Sequence, residues 1–269
     1  MKTNHPELIE KLAEGISHLT TSADWRRYLD FQAKFHHYSF NNVCLIAMQR
    51  PEATRVAGFN AWLKMSRFVR KGEKAIWVLA PMVYKKADVK EGEDEWVIRG
   101  FKFVPVFDVA QTDGEELPSI CNRLDGNDPA GHYAQLLSVA QSLGFTVVDH
   151  EFDGSTNGDC NHAEHRIRVE VRNTPAQRVK TLAHEIAHAL LHEKFESRAL
   201  AELEAESVAY VVCQSIGIDS SDYSFGHVIT WAGGGDEAIA GIRASGERIQ
   251  KTATMILRAF EPAAQEAAA

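Results

Sequence analysis

The residues best suited to chemistry are His184-Glu185-Ile186-Ala187-His188, an HExxH pentapeptide. On a helix, positions i and i+4 share one face about 6 Å apart, so both imidazoles can reach one tetrahedral metal ion. Glu185 projects alongside, placed to take a proton from metal-activated water and return it to a leaving amine. Metal-assisted peptide hydrolysis requires this spacing. Such a pentapeptide also arises by chance, so its surroundings must carry the rest. Thr174-Pro175-Ala176-Gln177 supplies an N-cap, a proline at the first helical position and a glutamine at the third, the signature of a capping box. Val179, Leu182, Ala183, Ile186 and Leu190 form one apolar stripe, and Thr181, His184 and His188 fall on the opposite side. The segment therefore reads as a helix over 175–193 whose histidines face a cleft.

A third ligand must come from elsewhere, and the next helix, 198–215, offers Glu202, Glu204 and Glu206. At 100° per residue, Leu200, Ala201, Val208, Val211 and Val212 cluster on one face with Glu204 in its middle. A carboxylate inside an apolar stripe is costly unless paired or metal-bound. Glu204 is thus expected to be the third ligand, with Glu202 and Glu206 at the surface. The alternative is an inward Glu204 bridged to an arginine. Two imidazoles and one carboxylate with an open fourth position favour catalytic Zn2+, with Mn2+ as the other candidate.

The elements that hold this site begin with a helix near 131–143 and a strand at 145–148. A second strand follows at 165–171, whose residues alternate in polarity. A last helix spans about 236–260. Upstream, helices are expected at 6–20, at 24–36 with Asp24 as cap, and at 41–50, stopped by Pro51. Residues 75–84 and a partner run ending at Phe107 have the β-branched and aromatic content of paired strands around a charged tip at 85–95. The stretch 111–129, rich in Asp, Glu, Gly, Asn and Pro, reads as a connector. The fold class is α+β in two domains, 1–118 and 131–262, with a linker at 119–130 and a frayed tail at 263–269.

Charge divides the chain the same way. Between Arg26 and Lys86 there are 12 Lys/Arg against 3 Asp/Glu, whereas from Cys121 onward there are 12 against 21. A basic binding module joined to an acidic one accounts for this asymmetry. The basic half interleaves its cations with Trp25, Tyr28, Phe31, Phe35, Tyr38, Phe40, Phe59, Trp62, Phe68 and Trp77. Stacking rings beside phosphate-binding cations are what sequence-tolerant binding of single-stranded DNA needs. Trp62, Arg67, Arg70, Lys71 and Lys74 are the DNA-binding candidates. No helix-turn-helix, zinc finger or RRM signature is present. Four scattered cysteines without a CxxC pair fit a reducing cytoplasm. No apolar run reaches the roughly 18 residues that span a bilayer, and the first residues lack a signal-peptide h-region, so no membrane partner is expected.

HEIAH followed by Glu204-Ala205-Glu206-Ser207-Val208-Ala209 resembles the IrrE/ImmA group of gluzincin-like metallopeptidases. These place a glutamate ligand just before an alanine, in an E-A-x-x-(apolar)-A pattern; Val208 stands here where Phe is frequent. The resemblance implies a zincin-like domain in which strand 165–171 lines the cleft and pairs with an extended protein or peptide substrate, as an edge strand can. Trp62, the turn Val69-Arg70-Lys71-Gly72-Glu73-Lys74, the strand after it and Phe107-Asp108-Val109-Ala110-Gln111 resemble, in that order, the N-terminal domain of ArdC antirestriction proteins. Arg67-Phe68 stands here where members of that family commonly have glycines. This second resemblance implies a single-stranded-DNA-binding domain fused to a metallopeptidase, as in proteins that protect incoming plasmid and phage DNA from restriction. The rival readings are a peptidase that cleaves a DNA-bound repressor, and a DNA-coating protein whose metal only stabilises the fold.

Overall fold

The computed structural model describes residues 5–19, 21–85, 96–117, 131–194, 197–218 and 236–261. The linker at 119–130, the hairpin tip and the tail lie outside the described residues. Two compact units emerge. The first contains the chain up to Gly15 and Asn41–Pro118, and the second contains Ile16–Phe40 and everything from Ser119. Residues 16–40, which fall within the expected domain 1–118, pack as part of the second unit.

The first unit includes the start of α1 (His5–Ser17), most of α3 (Phe40–Gln49), β1 (Val56–Gly58), α4 (Phe59–Lys64), β2 (Arg67–Val69), β3 (Ile76–Lys85), β4 (Trp96–Asp108), a 3-10 turn at Val109–Gln111 and β5 (Thr112–Gly114). β4 is the centre of an antiparallel β1-β4-β3 sheet, and β2 pairs with β5. An open strand edge invites unwanted pairing. Here two amides of α3 occupy the edge of β3. The side chain of Asn42 donates to Leu79 O and accepts from Leu79 N, both at 2.8 Å, and Gln49 does the same to Trp77 at 2.9 Å.

The second unit carries α2 (Ser22–Lys34), α5 (His132–Ser142), β6 (Thr146–His150), β7 (Gly158–Asn161), β8 (Arg166–Glu170), α6 (Pro175–Leu191), α7 (Arg198–Ser215) and α8 (Asp236–Leu257). α2 is capped by Thr21, whose hydroxyl accepts from Asp24 N at 3.1 Å, so Asp24 is not the cap. Its aromatics serve the core: Trp25 is fully buried and donates to Ser207 Oγ of α7 at 3.0 Å. Gly246 of α8 leaves the space that the Phe40 ring fills, since a Cβ there would sit 2.2 Å from the ring. α7 is the central helix, packed against α6, α8 and α2.

β8 forms the middle of the three-stranded sheet, parallel to β6 and antiparallel to β7. This corrects the expectation that strand 165–171 offers a free edge: both of its edges are taken, and β7 is the strand with an edge on the α6 side. At the end of β8, buried Glu170 accepts from Phe152 N, Arg172 N and Arg172 Nε at 2.8–2.9 Å. Hydrogen bonds from Arg172 hold its carboxyl down at about 2. A carboxyl depressed in the fold contributes stability above its unfolded value near 4.3, lost as pH falls through the folded value. Glu170→Gln should therefore melt below the wild type at pH 7, with the gap closing between about pH 4 and 2 in thermal scans.

Candidate metal centre

α6 starts as its sequence demands, with Pro175 at its first turn and Thr174 Oγ1 accepting from Gln177 N at 3.3 Å. Gln177 reaches forward to Thr181 instead of back, so half of the expected capping box forms. About two turns after Gln177 the helix presents His184, and His188 follows one turn further on. Their Nε2 atoms approach to 3.0 Å, and Glu202 Oε2 of α7 lies 3.4 Å from the first and 3.7 Å from the second. Tetrahedral coordination with bonds of about 2.0–2.2 Å places ligand atoms roughly 3.3–3.5 Å apart. The three donors, 3.0–3.7 Å apart, lie within a few tenths of an ångström of that spacing. Both histidines also direct Nδ1 away from the cluster. His184 Nδ1 meets Glu206 Oε2 at 3.1 Å, and His188 Nδ1 meets His192 Nδ1 at 2.9 Å. Partners on the far nitrogen are the usual orienting contacts of metal-binding histidines.

Glu204 is not in this group. It is buried on the opposite face of α7, bridged to Arg248 of α8, with the Ser245 hydroxyl donating to it as well. The carboxylate that the structure brings to the two histidines is thus Glu202 and not the expected Glu204, which forms the arginine bridge of the alternative. The reason is rotational. Residues two apart differ by about 200°, so Glu204 must face away from Glu202 and Glu206, which share a side. The sequence reading assumed one apolar stripe, but α7 is buried nearly all round, from Ala201 and Leu203 through Cys213. Its inner faces are therefore several, and the one toward α6 carries Glu202 and Glu206. The pair spaced i, i+4 opposite a pair of histidines spaced i, i+4 was the available signal.

Glu185 is buried beneath the same cleft, where burial and the Asp159 and Glu202 carboxylates outweigh His184 and lift its carboxyl to about 7. β7 forms the facing wall through Gly158, Asp159 and Cys160. A side chain at Gly158 would place a Cβ 2.6 Å from Thr181 Cγ2 and 3.0 Å from Glu185 Oε1, so glycine leaves the carboxylate its room. Burial, with Glu185 and Asp159, pushes the Cys160 thiol up to about 12, and it lines the cleft as a neutral SH. His184 loses basicity to burial but gains more from Glu202 and Glu206, reaching about 9. The arrangement is a metal-ready donor set with a neighbouring base in a partly open cleft.

In the first unit the DNA-binding candidates meet different fates. Trp62 is buried and donates to Phe107 O at 2.8 Å, so it is core and not a stacking platform. Arg67 donates to Thr112 Oγ1 and O at 2.8 and 3.0 Å and also to Glu115 O. Arg70 pairs with Glu73 and Asp113 and donates to Ala110 O. Both guanidiniums staple β2 and its turn to the segment after β4. Gln111 completes the knot, donating to Glu73 Oε2 and Lys74 O, while Asp108 caps the 3-10 turn and accepts from Thr54 N and Arg55 N. Lys71 and Lys74 are exposed, as are Lys64 and the large apolar residues Phe59, Leu63, Met65 and Phe68. The two exposed phenylalanines stand where the sequence reading looked to Trp62. Among the described residues, no helix is long and apolar enough to cross a membrane.

Residues 3–116 match the family described as the N-terminal domain of anti-restriction factor ArdC, and residues 140–213 match the IrrE N-terminal-like domain. An uncharacterized protein of Bacillus anthracis is 27% identical over 285 residues, covering 88% of this chain and 48% of its own length. The chain thus spans about half the length of that curated relative. The metal-free crystal structure of the antirestriction ArdC protein from plasmid R388 aligns with a TM-score of 0.52 at 21% identity, over 81% of this chain and 84% of that one. Its Mn(II)-bound form aligns with a TM-score of 0.51 at 19% identity, over 81% and 83%. The two matches and the shared fold give this chain an ArdC-like two-domain architecture, an ArdC-type N-terminal domain followed by an IrrE-like, metallopeptidase-type domain.

Proposed function

We propose that the second unit is a divalent-metal peptidase, with zinc the favoured metal, and that the first unit binds single-stranded DNA, the two serving antirestriction. The observation that carries the peptidase reading is the convergence of His184 Nε2, His188 Nε2 and Glu202 Oε2 beside a buried Glu185. His184, His188 and Glu202 would hold the metal, leaving one position open. The bound metal supplies Lewis-acid activation of water and of the scissile carbonyl. Glu185 accepts the proton released by the attacking water and delivers it to the leaving amine, a task suited to a carboxyl lifted toward neutrality. β7 presents strand edge along the cleft, where an extended peptide can pair by main-chain hydrogen bonds. The relative crystallised with Mn(II) supports a divalent ion in this fold. Metal analysis together with a protease assay on casein and on DNA-binding proteins tests the reading; a protein that takes up metal but cleaves nothing under any loading would remove the enzymatic half.

For DNA, the support is the exposure of Phe59, Phe68, Lys64, Lys71 and Lys74 within one short stretch of the chain, with the similarity to antirestriction proteins. Binding should show little sequence preference and weaken steeply with salt, because counterions are released. Phe68→Ala should cost roughly 1–3 kcal/mol of affinity with an unchanged melting temperature. Trp62→Ala should instead lower stability by about 3–5 kcal/mol, as loss of a buried indole does, and affect DNA only through unfolding. Fluorescence anisotropy beside thermal melts on the full chain separates the two. Full affinity in Phe68→Ala would remove that ring from the platform.

A further inference from the structure

Glu204, excluded from the metal ligands, is connected to them through one intermediary. From the metal face outward, His188 Nδ1 lies 2.9 Å from His192 Nδ1, His192 Nε2 lies 3.3 Å from Glu204 Oε2, and Arg248 Nε lies 3.1 Å from that same oxygen. Glu204 Oε1 is occupied by the Ser245 hydroxyl and by Arg248 Nη2. His192, Glu204 and Ser245 are all buried. With His192 as a neutral imidazole, the chemistry of these groups gives the bonds one direction. A carboxylate paired with a guanidinium only accepts. His192 must therefore carry a proton on Nε2 to donate to Glu204, and in its neutral form it then has a lone pair on Nδ1. Facing that lone pair, His188 must carry its proton on Nδ1, which leaves the lone pair of His188 Nε2 aimed at the ligand cluster.

We infer that Arg248 and Glu204, acting through His192, set the tautomer and ring orientation of His188 and so hold its Nε2 ready for a metal ion. His192, Glu204 and Arg248 are positioning residues, and α8 is the element that carries the last of them. The inference rests on the metal-binding reading above. It explains why a charged cluster is buried at the end of α6, where an apolar filler of equal volume would stabilise the fold as well. His184 has the shorter version of the same device, with Glu206 bonded directly to Nδ1.

The test has two arms on the full-length protein. In the first, metal-free wild type carrying 15N-labelled histidine is examined for two-bond proton–nitrogen couplings. His192 should show the Nε2–H tautomer and His188 the Nδ1–H tautomer; His192 protonated on Nδ1 would overturn the inference without any variant. In the second, Zn2+ affinity is measured by competition with a chromophoric chelator. His192→Ala and Glu204→Gln should each weaken zinc binding about 10–100-fold, the range for lost orienting contacts. His192→Gln, whose amide can both accept from His188 and donate to Glu204, should recover most of that loss. Wild-type zinc affinity in His192→Ala and in folded Glu204→Gln, with only a lowered melting temperature, would reduce the cluster to packing. Failure of the wild type to take up zinc at all would instead defeat the metal reading, and the tautomer assignment would still decide the relay.

Discussion

Glu185→Gln is expected to keep its metal and its melting temperature while losing peptide hydrolysis by at least about 10²–10⁴-fold, the contribution of a positioned general base. Glutamine has nearly the same volume and sits in the same buried pocket under β7, against Thr181 and Gly158. It cannot accept a proton from the attacking water. The ligand atoms belong to other residues, so metal content should not change. The same variant separates the biological readings. Protection of DNA that survives Glu185→Gln would show that coating by the first unit is sufficient, since Phe59, Phe68 and the exposed lysines are untouched. Protection lost together with hydrolysis would make cleavage the operative step. Retained hydrolysis would remove Glu185 from the role of base.

The second large effect distinguishes two glutamates two residues apart. Glu202→Ala, like His184→Ala and His188→Ala, is expected to abolish stoichiometric metal retention, because each removes one of three converging donors. Its side chain is partly exposed, so the fold should tolerate the change. Glu204→Ala should behave in the opposite way. It leaves the three donors in place, so one equivalent of metal still binds, with weakened affinity. It also breaks a buried ion pair, at a cost of about 3 kcal/mol, the low end of the range because Arg248 keeps partial access to water. Metal stoichiometry by plasma mass spectrometry and thermal melts on both variants give a crossed pattern. Metal lost from Glu204→Ala and retained by Glu202→Ala would restore the arrangement expected from the sequence.

The sequence revealed the parts of this site that local rules determine. The cap at Thr174, Pro175 and the i, i+4 histidines all follow from residues within one helix, and α6 occupies nearly the span expected of it. Its partner was misread because α7 has no single inward face; identifying its faces requires knowing that α6, α8 and α2 all pack on it. β7 is not legible in the sequence because Gly158-Asp159-Cys160-Asn161 has no apolar alternation and takes its place by pairing with β8 and packing on α6. In the first unit the basic turn and the Phe107–Gln111 motif were recognised as marks of the family, but their physical work is to knot β2, β3 and the segment after β4 together. Trp62 shows the limit of composition. An indole flanked by cations reads the same in a sequence whether it faces solvent or, as here, the core.

The most direct measurement is anomalous diffraction at the zinc edge from crystals of the full chain grown with Zn2+. One peak is expected within about 2.0–2.2 Å of His184 Nε2, His188 Nε2 and a carboxylate oxygen of Glu202, with Glu204 still bridged to Arg248. A peak coordinated by Glu204, or no peak at the two histidines at saturating zinc, would contradict the account.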